Sequence, residues 1–403
     1  MALIVQKYGG TSVANTERVQ AVAQRVLKYK KEGHDVVVVL SAPAGMTDDL
    51  IKRANAISKN PKSRELDMLL GTGEQISIAL LAMALDELGQ EAISFTASQI
   101  GIKTTLHHTK AKITSISTEK MDKQLKEGKV VIVAGFQGIN ENDEFTTLGR
   151  GGSDLTAVAL GVALKADEVE IYTDVDGVYT ADPRIVKNAK KLLEISYDEM
   201  LELASSGAKV LHSRSVEVAY KYNTPIHLRS SFSDVVGTIV KGECKNMEKT
   251  VIRGVSHSTK ESKITIEGLP DNPGIAAKVF KELANNSINV DIVIQGGGAD
   301  NMNSISFTVK DEDFSNAKNI TEKLALELGA KKVLTNPNVA MVSVVGVGIK
   351  SNPGVAASVF ESLANAGVNI DMISTSEIKI SCIIADKDLD KAVNALHETF
   401  IED

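Results

Sequence analysis

Apolar residues are distributed along this chain in two patterns. Short continuous runs, ALIVQKY (2–8), DVVVVLSA (35–42), EAISFTA (91–97), KVVIVAGF (129–136), EVEIYTDV (168–175) and PIHLRSS (225–231), read as strands. Between them, residues 14–32, 47–58, 64–88, 118–127, 153–165 and 197–221 carry the pattern of helices. Valine- and isoleucine-rich strands that alternate with helices predict an α/β fold, a mainly parallel sheet covered by helices on both faces. In such sheets ligands lie beyond the carboxyl ends of the strands, so the residues just after each strand carry the chemistry.

A different pattern begins near residue 250. LPDNPGIAAKVFKELANNSINVDIV (269–293) reappears as IKSNPGVAASVFESLANAGVNIDMI (349–373), an ungapped offset of 80 residues. From Asn272 to Val293, 12 of 22 positions are identical, which points to a duplication. Each copy reads strand, Asn-Pro-Gly turn, helix, strand, strand, helix, with Pro273 and Pro353 suited to a helix start. The first copy adds a final strand, KKVLT, for which the second has no room. The strand-like segment TVIRGVSHS (250–258) could complete the second copy, so the two are expected to interlock. The predicted boundaries are a first domain at 1–245, a linker and completing strand at 246–262, and repeats at 263–338 and 339–403.

Composition narrows the class. The 403 residues are enough for two or three domains. A net charge of −7 without a long basic tract gives no sign of a nucleic-acid or membrane partner. No apolar run approaches the ~20 residues of a membrane span. The two cysteines, Cys244 and Cys382, stand far apart and the seven histidines form no metal-binding spacing, so neither a disulfide framework nor a metal centre is expected. The reading is a reduced, cytoplasmic protein.

Five segments after strands are rich in glycine, hydroxyls and charge: KYGGTS (7–12), SAPAGMTDD (41–49), GTGEQIS (71–77), TTLGRGGSDLTA (146–157) and TDVDGVYTADPR (173–184). Each alone is compatible with an ordinary turn or cap. Together they describe a site. Paired glycines let backbone N–H groups approach anionic oxygens, and Lys7 and Lys209 could neutralise phosphate. Glu74 and Arg150 could hold an ammonium and a carboxylate. The lysine precedes its glycines, so KYGGTS is not the common phosphate loop, in which the lysine follows. His107 and His108, in the polar stretch TTLHHTK, read as a surface loop without a role.

KYGGTS, GEQIS, GRGGSDLTA, TDVDGVYTADPR and GAKVLH, in this order and followed by the duplicated tail, resemble the aspartate kinases over essentially the whole chain. The repeats resemble ACT domains, small modules that bind amino acids where two of them meet; a bare ferredoxin-like pair that only packs subunits is the alternative. Two departures are small: Tyr8 stands where phenylalanine is commoner, and Ser213 where GAKVLHP would have proline.

The resemblance implies an amino-acid kinase fold followed by two ferredoxin-like βαββαβ ACT domains, and transfer of the ATP γ-phosphoryl group to the side-chain carboxylate of L-aspartate. It implies that Lys7, with the backbone of Tyr8, Gly9 and Gly10, handles the transferring phosphate, and that Asp154 orients Lys7. Thr47, Glu74, Arg150, Gly151, Gly152, Ser153 and Asp154 would hold aspartate, with Ser41 beside both substrates. Thr173, Asp174, Tyr179, Arg184 and Lys209 would line the ATP pocket, and Mg²⁺ would arrive with the phosphates, since no protein metal cage is legible.

It further implies feedback by lysine, threonine or both. The effector would be held by Asp271, Gly274, Ile275, Ala276 and Gln295 of the first repeat and by Asn352, Gly354, Val355, Ala356, Asn369 and Ile370 of the second. Met247, near the junction, could start a separate regulatory subunit in an α2β2 assembly, or be a linker methionine in a homo-oligomer. Amino-acid kinases that phosphorylate glutamate, acetylglutamate, carbamate or a nucleotide, and a catalytically silent amino-acid sensor, are the competing readings.

Overall fold

Valine-rich strands β1 (Leu3–Tyr8) and β2 (Asp35–Leu40) lie at the centre of the larger sheet of a computed structural model that describes residues 1–207, 210–242, 251–297 and 302–401. Between and after them run helices α1 (Thr16–Lys31), α2 (Met46–Ile57), α3 (Ser63–Leu70) and α4 (Thr72–Glu87). The chain continues through β3 (Ala92–Phe95), β4 (Ile102–Thr104), β5 (Ile113–Ile116), α5 (Glu119–Lys126), β6 (Val130–Ala134), β7 (Gln137–Ile139) and β8 (Phe145–Thr147). Then follow α6 (Gly152–Leu164), β9 (Glu168–Thr173), β10 (Glu194–Ser196), α7 (Tyr197–Ser205), α8 (Ser213–Tyr222), β11 (Ile226–Ser230) and β12 (Thr238–Lys241).

The sheet has the order β10-β12-β11-β9-β1-β2-β6-β3, and among the described residues only the β11–β12 pair is antiparallel. Successive residues of a strand face opposite sides. Val36, Val38 and Leu40 thus join α1 and α4 in one core, which includes Val19, Val22, Ile78, Leu81 and Leu85, while α6 packs on β1, β2 and β9. The mainly parallel sheet covered by helices on both faces, expected from the sequence, is present. A smaller sheet, β5-β4-β7-β8, was not legible, because its strands are only three or four residues long.

Two predicted helices are split. The stretch 64–88 breaks at Gly71, where a Cβ would lie 2.3 Å from the Phe145 ring. The stretch 197–221 becomes α7 and α8, the second entered through His212, whose Nδ1 accepts from the Arg214 N–H at 3.4 Å. Contrary to the reading of apolar runs, α3 and α4 together (Ser63–Glu87) are long and apolar enough to cross a membrane by length and composition. Here they pack on β8, β2, β3 and β6 and carry the buried carboxyls of Asp67 and Glu74.

The second compact unit contains β13 (Gly254–Pro270), α9 (Ile275–Asn285), β14 (Val293–Gly297), β15 (Met302–Lys310), α10 (Asp311–Glu327) and β16 (Lys332–Val345). It ends with α11 (Val355–Asn365), β17 (Ile370–Thr375), β18 (Lys379–Ala385) and α12 (Leu389–Ile401). These strands form one sheet, β14-β15-β13-β16-β18-β17. Both long strands serve both repeats. Gly254–Ser258 of β13 pairs with Met341–Val345 of β16, and Lys263–Glu267 pairs with Lys332–Asn336. Register shifts on either side of Glu261 and a positive φ of 60° at Lys260 mark the joint between the two halves.

A segment within residues 1–245 clusters with the second compact unit rather than the first. Met1–Val178 and Lys191–Ala204 belong to the first unit, whereas Tyr179–Lys190 belongs to the second. The physical reason is specific: Thr180 O accepts from the Val255 N–H at 2.7 Å, and Ala181 and Val186 enter the apolar cluster built on Ile252, Val344, Leu363 and Leu396.

Candidate active site

Four parallel strands end side by side, and main-chain bonds stitch their ends together. The Gly9 N–H donates to Tyr172 O (3.2 Å), Ser41 N–H to Tyr8 O (3.2 Å), Ala44 N–H to Gly10 O (3.1 Å) and Gly135 N–H to Leu40 O (3.0 Å). The turns after β1, β2 and β6 touch closely: a Cβ on Gly10 would lie 2.7 Å from Ala42 O, and one on Gly135 2.7 Å from Ser153 Oγ. Gly73 is similarly close to the Ala42 Cβ. Gly9, Gly10, Ser41, Glu74, Ser153 and Asp154 are thereby gathered at one end of the sheet, where Lys7 also projects.

Lys7 Nζ and Asp154 Oδ1 form an ion pair at 2.7 Å, with side chains only 11% and 13% exposed. Asp154 occupies the first turn of α6. That helix is entered through Gly151 in the left-handed conformation (φ 70°) without a side-chain cap; the Gly152 N–H donates to Gly149 O at 3.0 Å, and the Ser153 and Asp154 N–H groups have no intrahelical acceptor. A Cβ on Gly151 would lie 2.2 Å from the His212 ring, so the packing demands glycine as much as the φ does. Burial pushes the His212 imidazole below its ordinary value, against the opposing pull of Asp154.

Glu74, 3% exposed in the first turn of α4, accepts the Ala42 N–H through Oε1 at 3.1 Å, while its Oε2 has no hydrogen-bond partner among the described residues. Burial pushes its carboxyl up to about 7, partly offset by the backbone N–H bonds. A buried carboxylate with an unused oxygen is a docking point for a cation. Ser41 and Thr47 are half-buried, and Arg150 is exposed; none of the three has a side-chain partner among the described residues.

Tyr8 presents only its backbone here. Its ring stacks on Tyr172 at 4.6 Å, and its hydroxyl donates to Gln6 Oε1 at 3.2 Å. Gln6 in turn donates to Glu170, a buried carboxylate also held by Tyr29 and Arg229. Glu168, Glu170 and His227 offer ligand atoms within 4.8 Å of one another, the one such group among the described residues. Each already has a protein partner, Glu168 with His227 at 2.7 Å and Glu170 with Arg229 at 2.8 Å.

Thr173 and Asp174 follow β9, with the Thr173 hydroxyl donating to Asp174 at 3.0 Å. Their neighbour Ser231 donates its N–H to Thr173 O (2.8 Å) and shares a 2.5 Å hydroxyl contact with Ser12. Tyr179 and Arg184 belong to the second unit, where Asp182 holds the Arg184 guanidinium at 2.6 Å. Lys209 and Met247 lie outside the described residues. Sequence reasoning missed Asp67 and the anchoring of His108. Asp67 is fully buried and accepts from Thr109 N–H and Thr147 Oγ1, with His108 Nδ1 at 2.9 Å; His107 is exposed.

In the second unit, Asp271, Gly274, Ile275, Ala276 and Gln295 line a pocket of about 380 Å³, together with Leu269, Asn303 and Ile305. Asn303 Nδ2 donates to Asp271 at 2.7 Å. Asn352, Gly354, Val355, Ala356, Asn369 and Ile370 belong to the second repeat and are not part of that lining. There Asn352 donates to Gly348 O at 2.9 Å, and Ile370 packs against the apolar core.

Comparison with known proteins follows the same division. The Amino acid kinase family matches residues 2–230, and the ACT domain matches 264–323 and 342–400. An aspartokinase of Mycolicibacterium smegmatis is 52% identical over 405 residues, covering 99% of this chain and 96% of that protein. The crystal structure of E. coli aspartokinase III in complex with aspartate and ADP (R-state) is 27% identical, with a TM-score of 0.83 over 99% of this chain and 100% of that one. The same enzyme in complex with lysine and aspartate (T-state) gives a TM-score of 0.78 at 27% identity, again over 99% of this chain and 100% of that one.

Proposed function

The chain belongs to the aspartate kinases, ATP-dependent enzymes of the amino acid kinase family with C-terminal ACT domains, and from that premise we propose how its residues divide the work. An aspartate side chain has a reference pKa of ~4 and is already a nucleophile at neutral pH, so no general base is needed. One carboxylate oxygen attacks the γ-phosphorus as the bond to the β–γ bridging oxygen breaks, giving 4-phospho-L-aspartate and ADP. The task is to bring two anions together and to stabilise charge spreading over the transferred group.

Lys7 and the backbone N–H of Gly10 face that charge, Gly9 allowing the close approach while its own N–H is held by Tyr172 O, and Asp154 orients the Lys7 ammonium rather than taking a proton. The unused oxygen of Glu74 receives the ammonium of aspartate. Arg150 pairs with its α-carboxylate, and Thr47, Ser153 and the backbone of Gly151 and Gly152 complete the cradle, with Ser41 between the substrates. Thr173 and Asp174 serve the nucleotide. Mg²⁺ would shield phosphate charge. Asp154 is committed to Lys7, which fits a metal carried in by ATP rather than held by a protein cage.

The observation that carries this reading is the buried Lys7–Asp154 pair gathered with a buried Glu74 that keeps one oxygen free. Trapping the acyl phosphate with hydroxylamine in the presence of Mg-ATP tests it. Hydroxamate should form with L-aspartate and not with L-glutamate; the reverse preference would sink the acceptor assignment.

The product would enter the lysine, threonine, methionine and isoleucine branch, with inhibition by lysine, threonine or both. Support comes from the lysine complex of E. coli aspartokinase III and from the polar pocket at Asp271–Ala276. In an assembly, that pocket would be completed by Asn352–Ala356, Asn369 and Ile370 of another chain, as a homo-oligomer or with a regulatory subunit begun at Met247. The enzyme would act in the cytoplasm.

A further inference from the structure

The buried carboxylate of Asp67 has no part in the chemistry above. It lies on α3, shortly before the Gly71–Gly73 turn that leads into Glu74, and none of its side chain is exposed. A buried carboxylate persists only where donors replace its water. Asp67 Oδ1 and Oδ2 accept from the Thr109 N–H at 3.1 and 3.0 Å, and Oδ1 accepts from Thr147 Oγ1 at 2.5 Å. His108 Nδ1 lies 2.9 Å from Oδ2; since a carboxylate only accepts, this nitrogen carries the proton. The other ring nitrogen lies 3.5 Å from Glu144.

These partners sit 41, 42 and 80 residues along the chain, so one side chain joins α3 to two distant segments, the His108–Thr109 loop and β8. Each leads to the site. Thr147 ends β8, three residues before Arg150. Thr109 O faces Gly149, where a Cβ would lie only 3.0 Å away, and the Ala111 N–H donates to Thr147 O at 2.9 Å. Gln137 Nε2 donates to Gly71 O at 3.2 Å, adding a second tie beside Asp67. The phosphate-facing half is held separately, by the main-chain bonds among the ends of β1, β2, β6 and β9.

The geometry points to Asp67 as a positioning residue that fixes the spacing of Glu74 and Arg150, the acceptor-binding half of the site, through Thr147 and the His108–Thr109 loop. This rests on the division of roles proposed above. It assigns His108 the task of filling and orienting the Asp67 carboxylate, a function its polar sequence surroundings concealed.

The test is a comparison of KM for aspartate and for ATP in the full-length enzyme, with melting temperature recorded for each variant. Asp67→Asn replaces an acceptor oxygen by a donor facing donors; aspartate KM should rise about tenfold or more, the scale for a hydrogen bond to a charged group. ATP KM and kcat should stay within about twofold. Thr147→Val should raise aspartate KM by a smaller factor, and Thr147→Ser, which restores the hydroxyl, should return it to wild type. An unchanged aspartate KM in a folded Asp67→Asn enzyme, or equal rises in both KM values, overturns the inference. If Asp67→Asn fails to fold, the Thr147 pair decides by the same criteria. A wild-type enzyme that makes no aspartyl hydroxamate would take down the division of roles and this inference together; a productive wild type without the split would remove this inference alone.

Discussion

Two places in this molecule use the same backbone device in opposite surroundings. Helix α6, beside the Lys7–Asp154 pair, and helices α9 and α11, in the two repeats, are each entered through a left-handed glycine with no side-chain cap. The first helical N–H is taken by a turn carbonyl in α6 (Gly152 to Gly149 O) and in α9 (Ile275 to Asn272 O), and the next N–H groups, which have no intrahelical acceptor, can face an anion. At Gly151 an added Cβ would strike the His212 ring, and the neighbouring charges are buried. At Gly274 and Gly354 nothing lies within 4 Å of an added Cβ, and Asp271 and Asn352 are exposed. Under the roles proposed above, the first keeps charged groups in place and the second admits and releases a ligand. On the proposed assignment, changes at one should alter turnover and leave inhibition intact, and changes at the other should do the converse.

The largest expected effect is at Lys7. Lys7→Ala should lower kcat at least ~10²-fold, the scale for losing one transition-state stabiliser. The residual activity should still respond to the effector amino acids at unchanged concentrations; near-normal turnover would refute the catalytic assignment. Glu74→Gln comes next, with aspartate KM raised by ~10-fold or more for loss of a charged hydrogen-bond partner. In the wild type, aspartate KM should fall as pH rises through about 7, because only the ionised Glu74 can bind an ammonium. A flat profile between pH 6 and 8 would remove Glu74 from the acceptor site.

The same residue makes a stability prediction of opposite sign. Folding raises its carboxyl from 4.5 to about 7, so the folded state holds an extra proton between those values, and stability falls as pH rises through that window. Glu74→Gln should therefore melt higher than wild type at pH 8, with a gain of at most about 3 kcal/mol from the shift. A variant with weaker substrate binding and a higher melting temperature would identify the unpaired carboxylate as a functional strain.

Smaller effects separate the glycines and the pocket. Gly151→Ala should cost more than the ~1–2 kcal/mol of a left-handed alanine, because His212 must also move, and should depress turnover. Asp271→Ala should raise the effector concentration for half-inhibition about fivefold, the lower end of ordinary coupling, with kcat preserved. Gly354→Ala should cost only the ~1–2 kcal/mol of the backbone conformation. Equal losses of melting temperature at Gly151 and Gly354 would erase the contrast between the two settings.

The parts of the fold that were legible are those with a local signature. Val36–Leu40 announces a buried strand, and the glycine pairs after β1 and before α6 announce close backbone approach. Lys7, Glu74 and Asp154 could be picked out because each lies beside such a turn. Asp67 could not, since its partners are tens of residues away and a lone Asp on a helix looks solvated. Nor could the placement of Tyr179–Lys190. Ala181 and Val186 are apolar, but hydrophobicity does not say which of two cores a residue will enter. Residue Gly71 shows a related limit. The helical pattern runs straight through it, and only the Phe145 ring, supplied by a strand far along the chain, explains why the residue between α3 and α4 has no side chain.

The two continuous strands of the C-terminal unit also constrain how such a protein can be recombined. A crossover between the repeats, at the joint around Glu261, would cut β13 within its length and detach half of each ladder from its partner. The exchangeable cassette is thus the pair of repeats, and even that is incomplete when taken as a contiguous piece. A graft beginning just before Ile252 would carry the whole sheet but leave Ala181 and Val186 with the donor, exposing the apolar surface they cover. Chimeras of this chain should be designed with two junctions rather than one.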